Sequence, residues 1–258
     1  MADVGQSTAY PWSVEVRFLI ATASLSSLFW LAGALIEGEW LVAGLPFSAG
    51  MFVAPALAVL ITRAPTQPAR SVGGPVSQRA VPLTRYVTWT ALMPTLLAGS
   101  YALAELSGGD LPGTSTSARH LALLCAAFTA SSVCEELGWT RFLTTSLLRK
   151  MSAIRAGVGI GAVWAALHVI PYLQAGRAWD WVAWQCVFTI AFRVLIVTAV
   201  ASTGLRWGIA VTMHASYDVA WALYPIGGSH YDPALVALLT GAVAAVLRHR
   251  GLRAGQAT

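Results

Sequence analysis

WVAWQCVFTIAFRVLIVTAVAST, residues 181–203, contains one charged residue, Arg193, in an otherwise uncharged and mainly apolar run. A helix that crosses the hydrocarbon core of a bilayer needs about 20 mostly apolar residues. No water is available there to satisfy the backbone, so such a segment is helical. The run therefore predicts a transmembrane helix with Arg193 near its middle. Seven further apolar runs extend the pattern to both ends, at 18–36, 45–62, 86–105, 120–139, 157–174, 207–224 and 233–247. They predict an all-α, polytopic transmembrane helical bundle of about eight spans joined by short loops.

Composition supports this class. The 258 residues are 57% hydrophobic and 10% charged, and the mean hydropathy is +0.65. Soluble domains carry about 25% charged residues, and a soluble protein of this size has too much surface to hide so much apolar material. The net charge of +5 is spread between the apolar blocks, which argues against a nucleic-acid partner and for membrane topology. Arg63, Arg70, Arg79 and Arg85 lie between the second and third spans; Arg141, Arg149, Lys150 and Arg155 follow the fourth. Arg206 follows the sixth span, and Arg248, Arg250 and Arg253 follow the last. Acidic residues occupy the alternate loops: Glu37 and Glu39, Glu105 and Asp110, Asp180, and Asp232. The positive-inside rule then places both termini in the cytoplasm. Trp40, Trp179, Trp181 and Trp207 fall at predicted span ends, as interfacial aromatic residues do.

The expected organisation is an N-terminal part, 1–118, with three spans and a Pro/Gly-rich cytoplasmic loop at 63–85, followed by a core at 119–258. Cys125, Cys134 and Cys186 lie within apolar runs without CxxC spacing, which argues against a disulfide framework or a zinc ribbon. Fifteen Arg to one Lys is the bias of a GC-rich genome, and a multi-pass bacterial plasma-membrane protein is expected.

Charges within the spans locate the chemistry. Loops account for most charged groups and leave Glu135, Glu136, His168, Arg193, His214 and Asp218 in apolar segments of the C-terminal half. Each costs at least about 2.5–3.5 kcal/mol at bilayer depth, so such groups mark functional sites by default. Glu135 lies six residues before Arg141 and His214 seven after Trp207, which puts both about 10 Å in from the cytoplasmic side. Asp218 follows His214 by one helical turn on the same face. Arg193 is expected as a counter-ion of Glu136 or Asp218. A carboxylate and an imidazole sharing a water can deprotonate it, and a second imidazole can donate to an oxyanion. The same groups, with Glu135, His168 and His214 as candidate ligands, could instead hold a divalent metal such as zinc. Neither HExxH nor GxSxG is present.

Three motifs bring these residues together: CEELGWTRFLTTSLL (134–148), AVWAALHVIPYL (162–173) and AVTMHASYDVAW (210–221). In order and separation they resemble the CPBP family, the CAAX prenyl endopeptidases and Abi-type intramembrane proteases. That resemblance covers residues 119–224 and implies an intramembrane endopeptidase acting on a peptide or membrane-protein substrate near the cytoplasmic leaflet. It implies Glu135 and His168 as the pair that activates water, and His214 and Asp218 as the oxyanion side. Glu136, Arg141, Arg193 and Trp164 then have supporting roles. Thr140 stands where the family pattern has Arg, with Arg141 one place on; Trp164 stands for Phe, and Asp218 for Asn. An ionised Asp cannot donate to an oxyanion, so a catalytically inactive membrane scaffold or immunity protein is the alternative expectation. A small proton-coupled transporter is a further one, against which stands the lack of an internal repeat.

Overall fold

The computed structural model describes residues 13–36, 39–40, 45–62, 81–113, 116–224 and 230–256. The regular structure of the described residues is helical apart from a two-residue antiparallel pair, β1 (Glu39–Trp40) with β2 (Leu45–Pro46). The helices are α1 (Val14–Leu35), α2 (Ala54–Ile61, entered through a 3-10 segment at Phe47–Val53), α3 (Leu83–Leu106) and α4 (Ala118–Glu136). A π-helical stretch, Leu137–Thr144, continues α4 into the short α5 (Thr145–Leu147). Then come α6 (Ala153–Gln174), α7 (Trp179–Ser202), α8 (Trp207–Ala222) and α9 (Pro233–Gln256). Each apolar run read from the sequence is helical over most of its length. Most of the predicted loop at 63–85, with Arg63, Arg70 and Arg79, lies outside the described residues, while Leu83–Arg85 already form the first turn of α3.

Local chemistry explains several boundaries. Ser13, Ser117 and Ser152 stand just before α1, α4 and α6, and each side chain accepts from a backbone N–H of the first turn. Asp232 does the same for Ala234 and Leu235 at the start of α9, at 2.8 and 3.2 Å. Side-chain oxygens at these positions satisfy donors that the helix itself leaves open.

Among the described residues, four segments are long and apolar enough to cross a membrane: Val14–Leu35, Ala118–Leu147, Ala153–Gln174 and Trp179–Ser202. Shorter apolar helices occupy Phe47–Ile61 and Pro233–His249. Apolar side chains on the outer faces, among them Leu28, Leu35, Leu60, Leu83, Val187 and Leu238, are exposed, as lipid-facing positions are. The all-α polytopic bundle is the architecture observed.

Helix α7 is its centre. Of its most apolar 18-residue stretch 61% is buried within the protein, against 17% for α1. It packs against α6, α8 and α9, while α3 and α4 pack on α8, and α1 and α2 close the bundle beside the π-helical stretch. The α6–α7 contact depends on Gly157 and Gly161, one turn apart. A Cβ on Gly157 would stand 2.8 Å from Val194 Cα, and one on Gly161 2.8 Å from Ile190 Cα. Small residues at this spacing let membrane helices approach backbone to backbone. Close approach here is what brings Trp164 of α6 and Arg193 of α7 together.

Candidate active site

The Glu pair ends α4, and the helix changes pitch immediately after it. The π-helical stretch widens the turn, and Gly138 within it lies against α2, where a Cβ would come within 2.6 Å of Pro55. Short π segments inside α-helices are rare and are often found at functional sites. With this pitch Thr140 lies under Glu136 and donates its hydroxyl to Glu136 Oε2. Arg141 faces outward instead, exposed, with its guanidinium 5.6 Å from the centre of the Trp207 ring. The structure therefore does not bring Arg141 to the cluster, in contrast to its expected supporting role.

A guanidinium reaches Glu136 from a different helix. Arg193 Nη1 of α7 donates to Glu136 Oε2 at 2.8 Å, and both side chains are fully buried. Of the two partners open to Arg193 from the sequence, Glu136 is the one observed. Glu136 Oε1 pairs with His214 Nδ1 at 2.9 Å. One carboxylate thus ties together α4, α7 and α8. An unpaired carboxylate could not be kept at this depth, whereas one with a guanidinium, a hydroxyl and an imidazole can.

Glu135 points the other way. Its Oε2 accepts from Trp164 Nε1 at 2.8 Å. Trp164 is the hub of the site: Arg193 stacks over its ring at 4.1 Å, and the rings of His168 and His214 meet it edge-on at 5.4 and 5.0 Å. The indole holds Glu135 with its N–H and presents its negative face to the cation. This is a use for the aromatic at 164 beyond filling space.

The histidine tautomers follow from their partners. His168 Nδ1 lies 2.8 Å from the Trp164 carbonyl oxygen. A carbonyl only accepts, so Nδ1 carries the hydrogen and Nε2 of the neutral ring is a free base. His214 Nδ1 faces the Glu136 carboxylate and carries a hydrogen for the same reason. Its Nε2 stands 3.6 Å from Asp218 Oδ2, one turn further along α8. That separation is an ion-pair distance and too long for a hydrogen bond.

Glu135 and His168 line one small cavity. Its other walls are Thr22 and Ser26 of α1, Met51 and Phe52 of the 3-10 segment, Pro55 of α2, Trp139, Trp164 and Leu167. Thr22, Ser26 and Trp139 carry no charge, so the transfer cost that marks the ionisable groups does not mark them in the sequence. In the sequence only Thr22 and Ser26 carry a signal, as small polar residues one turn apart in α1, and Trp139 carries none.

The candidate metal ligands Glu135, His168 and His214 do not converge. Among the described residues no group of three or more His, Cys, Asp or Glu side chains is arranged to hold a metal ion. Glu136 and His214 are engaged with one another, Glu135 is held by Trp164, and the Arg193 cation lies over the ring between them. The donor set does not fit a resident divalent ion.

Among curated proteins, none matches the chain. The segment that carries Glu135, Glu136, Trp164, His168, Arg193, His214 and Asp218, residues 117–220, matches the family model Rce1-like, described as type II CAAX prenyl endopeptidase Rce1-like, in agreement with the CPBP resemblance of its motifs.

Proposed function

We propose that the chain is a multi-pass intramembrane endopeptidase of the bacterial plasma membrane that hydrolyses a peptide bond with water activated by Glu135 and His168. The observation that carries this reading is that the two residues line one cavity while Trp164 binds both: its N–H holds Glu135 Oε2, and its carbonyl holds His168 Nδ1. Both groups therefore keep an acceptor for a water hydrogen. The family whose model the segment matches is one of proteases, and the four long apolar segments support a membrane location.

In the proposed step, a water O–H proton passes to the Glu135 carboxylate with His168 Nε2 accepting the other hydrogen bond. The water oxygen forms a bond to the peptide carbonyl carbon, and the C=O electron pair moves onto the oxygen. As an imidazolium, His214 donates from Nδ1 to Glu136 and from Nε2 to that oxyanion. Collapse breaks the C–N bond, and the departing amine takes the proton that Glu135 received. Asp218 adds a donor only in its protonated form. Glu136 and Arg193 do not touch the substrate; they hold His214 in position. With the termini in the cytoplasm, the site opens toward the cytoplasmic leaflet, and the substrate is a peptide or a membrane protein.

The test compares protein termini in host membranes that carry wild-type chain or Glu135→Gln at matched abundance. New termini that require Glu135 are expected, and their sequences identify the substrate. Identical termini with both proteins folded would favour the inactive scaffold, for which Asp218 in place of Asn is the supporting feature.

A further inference from the structure

We infer that Trp139 and Thr22 are positioning residues that orient the attacking water, an assignment that rests on the hydrolytic reading of Glu135 and His168. Both line the cavity shared by that pair, and each is 1% exposed. Trp139 Nε1 and Thr22 Oγ1 have no hydrogen-bond partner among the described residues. A buried donor without a partner is costly, and native proteins retain few without a reason. The cavity supplies the reason: it is just large enough for one water, and Thr22, Ser26, Glu135 and His168 stand among its mainly apolar walls.

The local structure fixes both groups. Phe18, Thr22 and Ser26 are spaced by four residues on one buried face of α1. The Phe18 ring meets Trp139 edge-on, with centroids 5.7 Å apart and planes at 87°. That contact packs the buried indole against α1. Glu135 and His168 Nε2 accept the two hydrogens of a water and leave its two lone pairs. An indole N–H is a donor only, and in a fixed place it occupies one of them. The Thr22 hydroxyl, which both donates and accepts, shares the water's hydrogen bonds from the α1 wall, and the second lone pair stays free for the peptide carbonyl carbon. The first helix, outside the segment that matches the family model, thereby completes the site.

The experiment uses the full chain in proteoliposomes and a fluorescence-quenched peptide spanning a cleavage site that depends on Glu135. Trp139→Phe and Thr22→Val remove the two donors with little change of shape, and Thr22→Ser keeps the hydroxyl. Loss of one orienting hydrogen bond is expected to lower kcat about tenfold with KM unchanged, and Thr22→Ser is expected to restore most of it. Unchanged kcat per folded molecule in both variants, even with a lower thermal midpoint, would assign them to packing and overturn the inference. A change confined to KM would make them substrate contacts and overturn it equally. Termini indifferent to Glu135→Gln would instead remove the hydrolytic reading, and this inference with it.

Discussion

Arg193→Met isolates the electrostatic centre of the bundle. In the native protein Arg193 Nη1 and Glu136 Oε2 are 2.8 Å apart and fully buried. At an effective dielectric constant near 20 the gross attraction at that distance is about 6 kcal/mol, offset by several kcal/mol of desolvation for each ion. The net value of the intact pair is therefore small, while the cost of breaking it is not. Met removes the cation, leaves Glu136 charged at full burial, and ends the stacking of Arg193 on Trp164. A loss of about 3–5 kcal/mol is expected. In Glu136→Gln/Arg193→Met the Gln side chain retains an acceptor for His214, and the Met thioether packs on the Trp164 ring. The double variant should lie within about 2 kcal/mol of wild type, well short of the sum of the two single losses, and the double-mutant cycle measures that shortfall. SDS titration in mixed micelles, followed by tryptophan fluorescence, measures the unfolding free energies. Additivity of the two single changes within about 0.5 kcal/mol would refute the pairing as the element that holds α4 to α7.

Packing, site geometry and charge placement give four further expectations. Gly161→Val should destabilise the bundle by about 2 kcal/mol or more in the same titration, because its Cβ meets the α7 backbone at Ile190. Gly159→Ala, with nothing within 4 Å of the added carbon, should be neutral or stabilise by up to about 1 kcal/mol through helix propensity. Asp218→Asn supplies an N–H donor independent of protonation beside His214, and kcat on the Glu135-dependent peptide should rise; a large fall would show that the carboxylate itself is required. Fusion of a fluorescent reporter that folds only in the cytoplasm to the C-terminus should give signal in cells, and its absence would overturn the assigned orientation.

Segments 157–174 and 181–203 were legible as helices because a long apolar run has one stable form in lipid: its backbone must bond to itself. The site residues Glu135, Glu136, His168, Arg193, His214 and Asp218 stood out for a related reason, since an ionisable group in such a run is expensive wherever it points. Cost does not depend on partner, so it can be read from one position at a time. Partnership cannot. The charges left Glu136 and Asp218 both open to Arg193, and the fold selects Glu136, 57 residues away, while the π-helical pitch turns the nearer cation Arg141 to the surface. Gly157 and Gly161 let α6 close on α7 and bring Trp164 to Arg193, and Thr140 donates to the same carboxylate. The neutral residues were harder still. A Thr or Trp in an apolar helix carries little transfer cost and reads as packing. Thr22 and Trp139 gained significance only when the fold placed their unpartnered polar atoms in residues that border the cavity of Glu135 and His168. A membrane helical bundle with ionisable groups in its second half follows from the residues taken one at a time, because single-residue transfer energies are local properties. The tertiary structure alone decided which of those groups pair and which face the cavity, because that depends on distances between helices far apart in the chain.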